Sequence, residues 1–187
     1  MYRHVISEAP IVVAVAAGKE HRFGKKVQST ITLLAGLGVE GDAHCDRYVQ
    51  HLYDQAKDPT RPNLRQVHLV EQELLEQLGT LGFALKPGQL GENITTHHID
   101  LPQLDAGTVL QVGTTALVRI TGLREPCFKI ARFQKGLQKA VTAKRDHCTF
   151  VRGGVMGVVV ASGTVSAGDA IQIRPSAAAR STALQPV

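Results

Sequence analysis

Tryptophan is absent from the 187-residue chain, all aromatics together make up 4%, and there are three cysteines. Few aromatics leave little with which to build a base-stacking platform for single-stranded nucleic acid. Three cysteines, Cys45, Cys127 and Cys148, cannot all pair within one chain. A disulfide framework needs a denser, even set, so a reducing compartment is expected. No apolar run approaches the ~18–20 residues that span a bilayer. The longest near the start, Ile11 to Ala17, is seven residues long and follows Arg3, Glu8 and Pro10. A secretory signal wants a cleaner basic start and a longer apolar core. The segment reads instead as a buried first strand of a cytoplasmic protein, with neither membrane nor nucleic acid as partner.

Charge is modest. Twenty-one Lys and Arg against sixteen Asp and Glu leave +5, with a pI near 9.3 and no basic block. The balance favours an anionic partner without defining one. Hydrophobic residues at 43% and charged ones at 20% are ordinary globular values, and the length suits one domain. A domain of this size buries roughly two-thirds of its unfolded surface and needs no disulfide or metal staple.

Glycine and proline divide the chain into short strands rather than long helices. Thr115 to Thr121 alternates, with Ala116, Val118 and Ile120 on one face and Arg119 and Thr121 on the other. Val27, Ser29, Ile31 and Leu33 hint at the same. Val155 to Ala161 is continuously apolar and β-branched, as for a strand buried on both faces. Thr164-Val165 is expected to return from it as a hairpin. Thr108 to Val112 and Ala170 to Arg174 read as further strands, the last stopped by Pro175.

Val70, Leu74, Leu75 and Leu78 recur at helical spacing, with Gly79 placed as a stop, and Leu137, Ala140 and Val141 do the same. Six to eight strands and two or three helices fit a mainly β domain, a barrel or curled mixed sheet, over residues 1–175. Residues 176–187 are Ala/Ser/Pro-rich and read as a frayed, disordered tail. Gly41 to Leu64 has little pattern, and a loop of that length is functional or flexible.

Three stretches carry chemistry. In Gly122 to Arg132 (GLREPCFKIAR), Pro126 suits a first helical position, which places Cys127 in the first turn. Arg124 and Lys129 add positive charge there, conditions that lower a thiol pKa. Against that stands the usual fate of an unpaired cysteine, a small buried hydrophobe. In Lys86 to Ile94 (KPGQLGENI), Gly88 and Gly91 permit positive φ, and Glu92-Asn93 sets an acceptor beside an amide. The Gly-Lys-Ser/Thr ending of a phosphate-binding loop is missing, and on the residues alone a Pro-Gly turn before a strand is the favoured reading.

The third stretch, Gly38 to Arg65, gathers His44, Arg47, His51, Lys57, Arg61 and Arg65, which could hold an anionic cofactor. Zinc on His44, Cys45 and His51, completed by Cys148 or His147, is disfavoured. Adjacent His and Cys are poorly spaced for tetrahedral ligation, and there is no Cys-x-x-Cys pair. His97-His98 has the same defect, and both read as surface histidines at a strand end. Gly-x-Ser-x-Gly, His-Glu-x-x-His and Gly-x-Gly-x-x-Gly are all absent.

As an ordered set, Gly38 to Asp42 (GVEGD), Gly88 to Thr95 (GQLGENIT), Arg-x-Pro-Cys within Leu123 to Lys129, Gly153 to Gly157 (GGVMG) and Gly168-Asp169 resemble the MOSC domain. That family is named for the C-terminal part of molybdenum cofactor sulfurases. The match spans roughly residues 11–174 and looks like the family's small stand-alone bacterial proteins. Pyridoxal phosphate attaches to this reading only by family association.

The resemblance implies a MOSC-like β-barrel and a role with the molybdenum cofactor (molybdopterin), an anionic pterin. It maps the family's cysteine onto Cys127, as persulfide carrier or molybdenum ligand. Arg124, Glu92 and Asn93 fall on motif positions. His44 and His51 fall in a loop where such proteins carry histidines, while Cys45 is unexpected. Two activities stay open: sulfur carriage between a sulfur donor and an acceptor, or reduction of N-hydroxylated compounds. The second needs an external electron-transfer protein, since no flavin, haem or iron–sulfur motif is present. A third reading is an anion-binding barrel without catalysis.

Overall fold

The computed structural model describes residues 8–20, 24–50, 52–125, 128–145, 148–151, 153–174 and 182–187. In chain order the elements are β1 (Ile11–Ala17), β2 (Lys26–Gln28), β3 (Thr30–Leu34), β4 (Gly38–Val39), α1 (Leu52–Lys57) and β5 (Val67–Glu71). There follow α2 (Gln72–Thr80), β6 (Ile94–His97), β7 (Val109–Val112), β8 (Ala116–Leu123), α3 (Phe128–Phe133) and α4 (Leu137–Ala140). The chain continues through β9 (Thr142–Arg145), β10 (Cys148–Val151), β11 (Val155–Ala161), β12 (Gly163–Ser166) and β13 (Ile171–Arg174). The mainly β single domain expected from the sequence is present, with more and shorter strands.

The principal sheet runs β13-β7-β8-β11-β5-β6-β1-β2. Its pairs are antiparallel except β5 with β6. The sheet curls until β1 approaches β13. There an isolated bridge joins Ile11 to Ala170, Val12 N–H donates to Asp169 O (2.9 Å), and Ile171 N–H donates to Pro10 O (2.8 Å). These bonds draw the ends together without a continuous ladder, so the barrel is not fully closed. A second sheet, β12-β3-β4, adds to the body, and β9 pairs with β10 alone.

The inner core holds Val12, Val15, Leu33, Val67, Leu69, Ile94, Leu110, Val118, Ile120, Val155 and Val159. A second cluster lies outside β5, where Val70 meets Leu74, Leu75 and Leu78 of α2, Ile130 of α3 and Leu137 of α4. Successive β5 residues point to opposite faces. Val67 and Leu69 therefore enter one cluster and Val70 the other, which buries the strand on both sides. Each apolar side chain so buried contributes roughly 1.5–3 kcal/mol.

Several local expectations are corrected. Val70 belongs to β5 and the helix begins at Gln72; Gly79 lies inside α2, and the positive φ falls at Gly82. The Val27–Leu33 pattern is split, β2 pairing with β1 and β3 with β12 and β4. β12 does not fold back on β11: it pairs with β3 in the second sheet. Along β11 the apolar run is buried except near its end, where Val160 faces outward.

The segment 41–64 contains α1 and a bridge between Tyr48 and Pro62. The C-terminal residues differ most. Leu184 is 6% exposed, Asp105 bridges Ala183, Leu123 bridges Pro186, and Leu123 N–H donates to Gln185 O (2.9 Å). Residues 182–187 therefore pack on the body rather than fray, whereas 176–181 lie outside the described residues. No helix among the described residues is long and apolar enough to cross a membrane.

Candidate functional site

The parallel β5–β6 pair and the antiparallel β1–β6 pair set the end of β1 beside the starts of β5 and β6, while the β8–β11 and β11–β5 pairs bring the end of β8 and the residues leading into β11 alongside β5. Five polar side chains meet there: Lys25, Asp42, His68, Asn93 and Arg124.

Asp42 organises the group. One carboxylate oxygen accepts from Lys25 Nζ (2.8 Å), Gly18 N–H (3.1 Å) and Asn93 Nδ2 (3.1 Å). The other accepts from His44 N–H (3.1 Å) and lies 3.2 Å from His44 Nδ1. Burial by itself would raise the Asp42 pKa, but the His44 hydrogen bonds and Lys25 outweigh it and hold the carboxyl well below the usual range. The Lys25 side chain is largely buried as well. Desolvation pulls its pKa down and Arg124 adds to that, while Asp42 and Glu92 act the other way.

Asn93 ties three strands together. Its Oδ1 accepts from His68 N–H (3.1 Å) and its Nδ2 donates to Ala16 O (3.1 Å) as well as to Asp42. His68 lies 2.7 Å from Gly153 O through Nε2, and since a carbonyl only accepts, Nε2 carries the proton. Burial, reinforced by Arg124, lowers its pKa to about 3, so the ring is neutral at pH 7.

The GGVMG stretch has a steric reason here. A Cβ on Gly154, whose φ is +87°, would stand 2.2 Å from Leu69 O and 3.1 Å from His68 Nε2. One on Gly153 would stand 3.2 Å from Arg124 Cδ. Only glycine lets β11 enter against His68 and Arg124.

Glu92 is fully buried, bound within the turn that precedes β6. It accepts from Gly88 N–H (2.6 Å), Leu90 N–H (3.0 Å) and Thr95 Oγ1 (3.2 Å). Burial raises its pKa against those bonds. Its carboxylate holds the turn that presents Asn93, and Gly88 permits that turn at φ +85°, where a Cβ would meet Lys25 O at 2.6 Å.

The remaining expected residues distribute as follows. His44 sits half-buried on Asp42, and Asn63 pins the same loop by donating to His44 O (2.9 Å) and Asp46 O (3.0 Å). Arg47 is exposed beyond it. Cys45 is a half-buried thiol outside any disulfide. Burial and the nearby Asp42, Asp46 and Glu40 push it up, which disfavours a second reactive sulfur. Lys129 falls in α3, and Cys148 in β10. Cys127 and Pro126 lie outside the described residues, between Arg124-Glu125 and α3, and His51 lies outside them too.

Lys25 and His68 were missed by motif reading. Neither has a local signature, since each matters through partners supplied by other strands.

The domain is thus a curled, mainly β body with a cluster of buried polar side chains at one rim. The family model for the MOSC domain matches residues 54–172, more than half the chain, and the chain belongs to the family. Among solved structures, the YUAD protein from Bacillus subtilis superposes with a TM-score of 0.72 at 21% identity, covering 89% of this chain and 96% of its own. YiiM from Geobacillus stearothermophilus gives 0.62 at 17% identity, covering 88% and 75%. YiiM from Escherichia coli gives 0.57 at 18%, covering 92% and 73%. These identities establish the shared fold. No curated protein matches the sequence.

Proposed function

We propose that this protein binds the molybdenum cofactor at the Lys25–Arg124 rim and carries sulfane sulfur on Cys127 for transfer to an acceptor, in the cytoplasm. The family is associated with that cofactor, and the local electrostatics suit it. Arg124 is close enough to Lys25 to help lower its pKa, His68 is neutral, and Asp42 is the ionised carboxylate paired with Lys25. Lys25, Arg124 and Asn93, gathered in a partly desolvated setting, suit a phosphate-bearing pterin. That convergence of two basic side chains and an amide is the observation that carries the proposal.

The cofactor would supply the thiophilic metal centre. This chain's own residues bind and orient: Arg124 and Lys25 attract the phosphate, Asn93 and Asp42 hold the rim rigid, and Gly153 lets Arg124 lie flat against β11. In sulfur loading, the Cys127 thiolate attacks the outer sulfur of a persulfide on a donor. The donor leaves as its thiolate and Cys127 becomes the persulfide, so sulfane sulfur moves with no net oxidation.

Protein purified from a cofactor-competent host is expected to retain pterin near one equivalent per chain, and Arg124→Gln to lose most of it while keeping its melting temperature. Equal retention in the variant, or no pterin in the parent protein, contradicts the binding part of the proposal.

A further inference from the structure

The parallel pairing of β5 and β6 sets Glu71 beside Thr96. Because α2 starts immediately after β5, its first turn then stands over the end of β6, where His97 and His98 lie. Adjacent residues of an extended strand point to opposite faces. His98 breaks that rule: its φ is 62°, the one positive value outside glycine among the described residues. The turn swings its ring back to the side of His97, with ring centroids 3.8 Å apart and planes 31° tilted. The spacing objection to a shared ligand set therefore does not apply.

Glu73 completes the cluster. Its Oε1 accepts the His98 backbone N–H (2.7 Å) and lies 3.7 Å from His97 Nε2. One ligand atom from each of Glu73, His97 and His98 lies within 4.8 Å of the others. Glu8 approaches from the chain start, its Oε2 2.6 Å from His98 Nε2. The side chains are between 25% and 73% exposed, so an ion from solvent can reach them.

We infer that Glu73, His97 and His98 form a binding site for a borderline divalent transition metal of the zinc class, with Glu8 available as a fourth ligand. Two imidazoles and a carboxylate suit such ions, whereas magnesium and calcium prefer all-oxygen sites. Ligands about 2.0–2.2 Å from a tetrahedral ion stand roughly 3.4 Å apart, so the cluster needs to close by about an ångström. Side-chain rotation at half-exposed positions supplies that. The site lies at the opposite end of β5 and β6 from His68 and Asn93, about four residues or ~13 Å along β6. It is thus separate from the cofactor rim.

The test is calorimetric titration of the metal-stripped full-length protein with zinc chloride, repeated with cobalt(II) for its visible spectrum. One equivalent is expected to bind. The cobalt form should show tetrahedral d–d bands without thiolate-to-metal charge transfer, because no cysteine takes part. His97→Gln should weaken binding by roughly tenfold or more. His98→Gly, which keeps the positive φ without strain, should do the same with the metal-free melting temperature preserved. Cys127→Ala should bind as the parent protein does, which keeps this result distinct from the fate of the cofactor proposal. Absence of saturable binding below roughly 100 μM, thiolate bands, or undiminished binding in both histidine variants overturns the inference.

Discussion

At the residue scale, the chemistry turns on buried groups whose protonation is set by their neighbours. His68 is neutral in the fold, with a pKa of about 3, but ionises near 6.5 once unfolded. Its contribution to stability is complete above pH 6.5 and is lost as pH falls towards 3, because only the unfolded state takes up the proton. Urea unfolding should therefore show stability dropping by about 1.4 kcal/mol per pH unit below pH 6.5, or ~2 kcal/mol by pH 5. Glu92 works in the opposite sense: its raised pKa costs stability as pH climbs through it. His68→Gln, which keeps a donor for Gly153 O, isolates the first effect and should flatten the slope. An unchanged slope would contradict the buried, neutral histidine.

At the scale of elements, the glycine pair ahead of β11 is what allows strand and rim to meet. Gly154 and Gly168 both have positive φ, +87° and +90°, so alanine is strained at either. At Gly168 a Cβ meets nothing within 4 Å, while at Gly154 it meets Leu69 O at 2.2 Å. Gly154→Ala is expected to destabilise by at least ~2 kcal/mol more than Gly168→Ala, measured by chemical denaturation. Equal costs would mean that β11 is not packed on β5 as described.

The same scale shows what the chain makes legible. β8 and β11 are visible because alternation and continuous apolarity are local properties of one strand. β2 and β4, three and two residues long, exist only through partners elsewhere in the chain, so no local pattern announces them. Val70 fits a helical spacing by accident, since both β5 faces are buried and its period of two is hidden. The motif residues Asp42, Asn93 and Gly153 are legible in the candidate site. Lys25 and His68 are not, because their roles arise when distant strand ends converge. His97 and His98 read as a poorly spaced pair until a single left-handed residue turns one ring onto the other.

At the scale of the whole molecule, the Ile11–Ala170 bridge draws the curled sheet together at its seam, and the returning C-terminal residues pack along the end of β8. Leu184 enters the inner core and Pro186 lies beside Leu123, the residue immediately before the Arg124–Glu125 segment. Leu184→Ala should cost about 2–5 kcal/mol, the usual range for a buried leucine, and lower the melting temperature accordingly. A change within ~0.5 kcal/mol would show that residues 182–187 do not pack there in solution.

In the proposed function Cys127, three residues after Arg124 in sequence, is the sulfur-bearing group. Its most direct test is intact-protein and peptide mass spectrometry after exposure to a persulfide donor, paired with molybdenum analysis of protein from a cofactor-competent host. The account predicts one added sulfur atom on the peptide carrying Cys127, removed by thiol reductants and absent from Cys127→Ala, without stoichiometric molybdenum held by that cysteine. Molybdenum lost on Cys127→Ala with no sulfur adduct, or loading indifferent to that substitution, would contradict it.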